Sequence, residues 1–306
     1  MSRKLKGNLF LLTASFFWGS TFVAQEIAAK TYHIGAYTYQ SVRMIIGSFV
    51  LLPLIFLMTH FSKKNGTYKK ADRKDKKTLI IGGIICGTIL CIAACLQQLA
   101  IADKGTNSGK IAFITTTYIL IVPIIYFFFG NKIKLKVIIA ALMGVVGLYF
   151  ISVKAEDFSI SKGDLLGIAC ALFFSAHILV IDHFGPKVDG VKLSSLQFLV
   201  CGIEAAIPAI LLEKTDISVI LSCWGPILYA GVFSCGVAYT CQILGQQNAN
   251  PTIASILMSL EAVFGILTGV VILGNIPTTR ETIGCVIMFM AIIISQFPSK
   301  NKKLKQ

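Results

Sequence analysis

Five long apolar segments occur in each half of this chain, and it is the odd number that constrains the fold most. A chain that crosses a bilayer five times before repeating itself sets its second copy upside down relative to the first. The repetition is legible in residues. Gly7-Asn8-Leu9 ahead of Phe17-Trp18 returns as Gly163-Asp164-Leu165 ahead of Phe173-Phe174. Cys86-Gly87 and Gln97-Gln98 return as Cys235-Gly236 and Gln246-Gln247, and Gly130-Asn131 returns as Gly274-Asn275. The separation shrinks from 156 to 144 residues along the chain, as small loop deletions between equivalent segments require.

Helical rise matches a hydrocarbon core of about 30 Å to windows of about 17–25 apolar residues. Ten such windows are present: 8–27, 36–58, 79–99, 106–129, 135–153, 163–183, 192–212, 222–247, 251–273 and 280–297. With 55% hydrophobic and 14% charged residues and a mean hydropathy of +0.78, whole windows lack the polar face that a soluble helix or strand would show. Barrel strands would alternate apolar and polar residues over short segments, and these windows do not. The expectation is an all-α integral membrane protein with ten transmembrane helices in two inverted five-helix repeats (5+5). The repeats are expected over 1–153 and 163–297, with a linker over 154–162 and a basic tail over 298–306.

The net charge of +14 suggests nucleic acid until its distribution is read. With the N-terminus in the cytoplasm, 20 of the 28 basic residues fall on cytoplasmic segments, including Arg3, Lys4 and Lys6, the Lys-rich stretch 59–78, and Lys300 to Lys305. The opposite loops carry Lys30, Lys104, Lys154, Lys162, Lys214 and Arg280. The positive-inside rule then places both termini in the cytoplasm of a multi-pass cell-membrane protein. The 59–78 stretch reads as a topology signal and a contact for anionic lipids, and no nucleic-acid partner is expected. Nine cysteines lie in or at the ends of the windows without CxxC or a histidine at ligand spacing, so neither a metal nor a cofactor is expected.

Several motifs resemble the drug/metabolite transporter superfamily, EamA type. They are Phe17-Trp18-Gly19-Ser20-Thr21-Phe22, Thr106-Asn107-Ser108-Gly109-Lys110 through Pro123, Leu228-Tyr229-Ala230-Gly231-Val232 with Ala238-Tyr239, Ser259-Leu260-Glu261-Ala262-Val263-Phe264, and Leu273-Gly274-Asn275. The resemblance spans almost the whole chain. It implies a carrier for small metabolites, with amino-acid efflux common among members. Two features depart from the pattern. The family's Leu-Glu-Pro is Leu260-Glu261-Ala262 here, and its Gly-Glu pairs are Gly130-Asn131 and Gly274-Asn275, which weakens any gating role for loop carboxylates.

Ionisable groups deep in a bilayer are costly, so each is a candidate for function. His177, Glu204 and Glu261 are deep by position, and Arg43 lies nearer the end of its window, where it either joins the site or snorkels. These four are candidates for proton coupling or gating, against structural hydrogen bonds or ion pairs as the alternative. Polar residues at helical spacing must avoid lipid and turn inward. Trp18, Thr21 and Gln25 form one such face, and Tyr239, Gln242 and Gln246 another. Gln98, Thr116, His177 and Ser259 complete the expected substrate cavity; tying helices together is the other use of such groups.

No Gly-rich phosphate loop or His-Glu-x-x-His is present, and no Ser/His/Asp set assembles from motif context. The leading reading is therefore a secondary carrier, not an enzyme. It would export amino acids or similar small polar metabolites by alternating access, with proton coupling as one option. The alternatives are import of a vitamin or nucleoside-like metabolite and, less well supported, lipid chemistry at His60, Asp182 and His183. Oligomeric state is open.

Overall fold

The computed structural model describes residues 3–67, 72–105, 108–152, 161–214, 216–273 and 276–296. Most of the linker, Thr106-Asn107, Gly274-Asn275 and the basic tail lie outside the described residues. Within them every regular element is a helix. The first repeat holds α1 (Arg3–Glu26, continued by a π-helical turn Ile27–Thr31), α2 (Ala36–Lys64), α3 (Arg73–Ala102), α4 (Ser108–Thr116 and Tyr118–Phe128) and α5 (Leu135–Ser152). The second holds α6 (Lys162–Phe184), α7 (Gly190–Leu212), α8 (Trp224–Gln246), α9 (Pro251–Met258 and Glu261–Leu273) and α10 (Thr279–Gln296), with a short helix Ile217–Ser222 ahead of α8. Nine of these are long and apolar enough to cross a membrane, and α5 is a shorter apolar helix.

The helices outrun their apolar windows where charged residues follow. α2 continues to Lys64 and α3 begins at Arg73 with a capping box between Asp72 and Asp75, so most of the described part of the Lys-rich stretch 59–78 is helical. An apolar window marks only what lipid covers, and a capped helix continues into water at little cost. Ser161 and Asp164 form the same box at the start of α6.

Packing follows a two-fold logic across the repeats. α1 lies against α9, and α6, its counterpart, lies against α4. α1 also meets α8, as α6 meets α3; α2 meets α8, as α7 meets α3. The pairs α2–α7 and α5–α10 exchange with themselves. The arrangement encloses a core while leaving apolar side chains outward, among them Phe56, Phe128, Ile210 and Val271, as lipid contact requires.

Close crossings depend on glycine. A Cβ on Gly19 of α1 would stand 2.5 Å from the Glu261 carbonyl oxygen and 2.7 Å from the Gly265 nitrogen, so only hydrogen fits where α1 crosses α9. Gly147 and Gly284 oppose one another in the same way at the α5–α10 crossing. Such contacts let helices associate by packing where lipid supplies no hydrophobic drive.

Three helices depart from regular α geometry near the middle of the bundle. α4 breaks at Thr117, whose hydroxyl bonds back to the Ile114 carbonyl. Its counterpart α9 breaks at Ser259-Leu260. The centre of α8, Ala230–Tyr239, is π-helical, a winding that recurs at functional sites because it re-aims side chains within a continuous helix.

Candidate functional site: a central cavity between the repeats

The two broken helices meet at Glu261. Its Oε1 accepts from Thr116 Oγ1 and from Tyr118 Oη, each at 3.0 Å, so the break of one repeat is tied to the break of the other. Beside this joint lies a central cavity. Glu261, Arg43 and Gln97 supply its polar wall together with Thr21, Gln25, Thr115, Ser234 and Gln242; Trp18, Phe22, Tyr118, Phe174, Ile178, Tyr239 and Met258 supply the rest. Helices of both repeats contribute. A mixed wall of aromatic surface and few placed polar groups is the usual make-up of a small-molecule site.

The aromatic wall is itself ordered. Trp18 of α1 meets the Tyr239 ring edge-on at 4.8 Å, and Phe198 supports Tyr239 from behind at 5.8 Å. Trp18 Nε1 and Gln242 Oε1 are buried without a hydrogen-bond partner among the described residues. Buried polar atoms are nearly always bonded, so two such atoms on one cavity wall are groups available to a ligand.

Among the residues singled out in the sequence, Trp18, Thr21, Gln25, Tyr239, Gln242, Glu261 and Arg43 line this cavity. The others sit behind or beside it. His177 is fully buried, with Nε2 3.1 Å from Gln197 Oε1 and its ring edge-on to Tyr239 at 6.0 Å, one layer back from the wall. Thr116 bonds Glu261 from outside the lining, and Ser259 bonds the carbonyl of Ile256 within its own turn.

The glutamines repeated between the halves bond helix to helix. Gln25 donates to Gln98 and Gln97, and Gln98 donates back to the Gln25 carbonyl at 3.2 Å, joining α3 to α1. Gln246 donates to the Ile178 carbonyl at 2.9 Å, joining α8 to α6 in the second repeat. Gln25 and Gln97 also reach the cavity; Gln98 and Gln246 do not line it.

Glu204 stands apart from the cavity. It accepts from Thr88 Oγ1 at 2.6 Å between α3 and α7 and is only half-buried. Arg43 does not snorkel: it is 2% exposed, its Nε bonded to Gln40 Oε1 at 2.6 Å and its guanidinium over the Tyr39 ring at 5.4 Å. Lys110 is likewise held inside the bundle. It is buried and paired with Asp164 at 2.7 Å, fastening the start of α4 to the start of α6. Glu213 makes a second fastening at that end of the bundle. From the end of α7 it accepts Tyr37 N–H, Thr38 N–H and the Thr38 hydroxyl, capping α2 of the other repeat.

Tyr118 and Phe174 were not among the candidates read from sequence. Tyr118 lies just past the unmarked break in α4, and Phe174 is one of two adjacent phenylalanines in an apolar stretch of α6.

A twice-repeated helical bundle around a central polar and aromatic cavity defines a membrane transport protein. The EamA-like transporter family profile matches residues 5–153 and again 161–297, and the chain belongs to that family. It is a multi-pass protein of the cell membrane. Relatives are described only as uncharacterized transporters. One from Archaeoglobus fulgidus is 27% identical over 95% of this chain and 86% of its own length. The uncharacterized transporter YwfM of Bacillus subtilis is 24% identical over 97% of both chains. A crystal structure 18% identical to this chain superposes with a TM-score of 0.76, over 96% of this chain and 97% of the other, and so shares the fold.

Proposed function

We propose that this chain is an alternating-access secondary transporter that exports amino acids or similar small polar metabolites in exchange for protons. In this reading the ten helices all span the membrane, the second repeat is inverted relative to the first, and both termini are cytoplasmic. The basic stretch at the ends of α2 and α3 contacts anionic lipid. The observation that carries the reading is the cavity at the joint between the two broken helices, with a carboxylate, Glu261, on its wall.

A site at the meeting of two related halves can be exposed to either side by rocking one half against the other. The fastenings by Lys110–Asp164 and Glu213 tie helices of the two repeats together at one end of the bundle. Breaking them while the opposite end closes is the exchange such a carrier requires. Glu261 is the cavity carboxylate, so a proton and a cationic substrate group compete for one site, which is the minimal condition for antiport. Glu204, lying elsewhere, takes no part in it.

The test is flux into proteoliposomes loaded with unlabelled substrate, across a panel of amino acids, vitamins and nucleosides, with and without an acid interior. Amino-acid counterflow accelerated by an acid interior supports the reading. Flux of a vitamin or nucleoside alone would replace the substrate class, and no flux with any compound would remove the transport reading.

A further inference from the structure

Among the described residues the bundle buries two cations, Arg43 and Lys110, and treats them differently. Lys110 has the Asp164 carboxylate at 2.7 Å. Arg43, more deeply buried, has no carboxylate partner among the described residues, where the ion pairs are Lys30–Glu26 and Lys110–Asp164. A guanidinium taken out of water without a counter-charge is a strongly unfavourable arrangement. It persists in a packed bundle when something else, at least part of the time, supplies the anion.

The surroundings of Arg43 hold it in one pose. Gln40 donates from Nε2 to the Ala94 carbonyl of α3 at 2.8 Å, which fixes its amide, and the same amide accepts Arg43 Nε at 2.6 Å. The Tyr39 ring covers one face of the guanidinium. Gly47, one turn further along α2, lets the helix press against Cys235 of α8, so this face cannot swing toward lipid. The side chain lines the central cavity, and its two terminal nitrogens form the fork that takes a carboxylate by paired hydrogen bonds. Arg43 is therefore a preorganised anion holder facing the site.

The carboxylate on the cavity wall is Glu261. Two hydroxyls occupy its Oε1, and among the described residues no hydrogen bond occupies its Oε2 and no ion pair joins it to Arg43. The cavity thus presents one positive and one negative group that do not neutralise each other directly. The same wall carries Trp18, Phe22, Phe174 and Tyr239. A phosphorylated ligand would bring two negative charges against one guanidinium and a carboxylate. A zwitterion with an apolar body matches all three features.

We propose that Arg43 binds the carboxylate of an apolar or aromatic amino acid in this cavity, with the ligand's amine directed to Glu261 and its side chain against the aromatic wall. The proposal rests on the transport reading above and adds the recognition chemistry to it.

The experiment is equilibrium binding to the full-length protein in nanodiscs, first with the twenty amino acids, then with analogues of the tightest. For L-phenylalanine these are phenylalaninamide, phenethylamine and 3-phenylpropionate. The expected result is at least about tenfold tighter binding of the acid than of its amide or of the decarboxylated amine. Arg43→Gln removes that preference and Arg43→Lys weakens it. Glu261→Gln leaves the preference for the acid over its amide but removes the preference for phenylalanine over 3-phenylpropionate.

The wild-type comparison stands without any variant, so poor folding of Arg43→Gln does not decide the outcome. An amide that binds as tightly as its acid, discrimination that survives in Arg43→Gln, or no binding by any amino acid overturns the proposal. Flux of an uncharged nucleoside or vitamin in the proteoliposome assay would then leave transport standing with a different ligand, whereas the absence of all flux removes both.

Discussion

Tyr118 donates its phenolic hydrogen to Glu261 Oε1 at 3.0 Å, joining the helix break of one repeat to the helix break of the other. Thr116 reaches the same oxygen, so a single carboxylate satisfies two hydroxyls at the centre of the bundle. Interhelical hydrogen bonds in membranes contribute modestly, and Tyr118→Phe is expected to cost about 1 kcal/mol. Glu261→Ala removes the shared acceptor and is expected to cost about 2–3 kcal/mol. In the Glu261→Ala background Tyr118→Phe should cost almost nothing, which a double-mutant cycle of unfolding in mixed micelles measures. Additive costs would mean the bond contributes nothing to stability.

Lys110 and Asp164 form a buried pair, and the two partners differ in what else they do. Asp164 also accepts the Ser161 N–H at 2.8 Å to cap α6. Lys110→Met takes the ammonium from a buried carboxylate and is expected to lower stability by about 3–5 kcal/mol. Asp164→Asn keeps the cap while removing the charge, so in the Lys110→Met background it should restore most of that loss. Thermal unfolding of the three variants checks this, and a double variant no more stable than Lys110→Met contradicts it.

How much of this was legible beforehand depended on which interactions leave a periodic trace. The spans were, because lipid contact demands continuous apolar windows and Trp18, Thr21 and Gln25 fall on one helical face. The repeated glutamines were visible as a pattern, yet their bonds were not: Gln98 to the Gln25 carbonyl depends on how α1 crosses α3. Arg43 looked free to reach an interface because position along a helix says nothing about which neighbour covers it. Gly47 against Cys235 turns the Arg43 face inward. The breaks in α4 and α9 carry no proline or glycine at Thr117 or at Ser259-Leu260, so no local breaker announced them. Glu261 was found through its motif, while its bonding partner Tyr118 was not.

Gly19 is expected to admit no side chain. A Cβ there would meet backbone of α9 at 2.5 and 2.7 Å and the Phe264 Cβ at 2.8 Å, and backbone cannot yield as a flexible side-chain tip can. Overpacking of this kind costs about 1–3 kcal/mol, and here it also presses on the Glu261 joint. Gly19→Ala should therefore lower the unfolding temperature and slow counterflow. Gly225→Ala is the control, since nothing stands within 4 Å of a Cβ at that position. Equal effects of the two substitutions would show that the α1–α9 crossing is looser than described.

The last prediction separates two carboxylates by position. Glu261 lines the cavity, whereas Glu204 is held by Thr88 between α3 and α7 and is not part of the cavity wall. If substrate and proton share one carboxylate, an acid vesicle interior drives amino acid inward as protons leave. Each proton released from the site exposes the charge that the next ligand amine seeks. Glu261→Gln cannot release a proton from that side chain, so its uptake should be slower and the same with or without the gradient. Glu204→Gln should keep the wild-type acceleration by an acid interior. The reverse pattern, with gradient response lost in Glu204→Gln and kept in Glu261→Gln, would move proton coupling out of the cavity and into the α3–α7 interface.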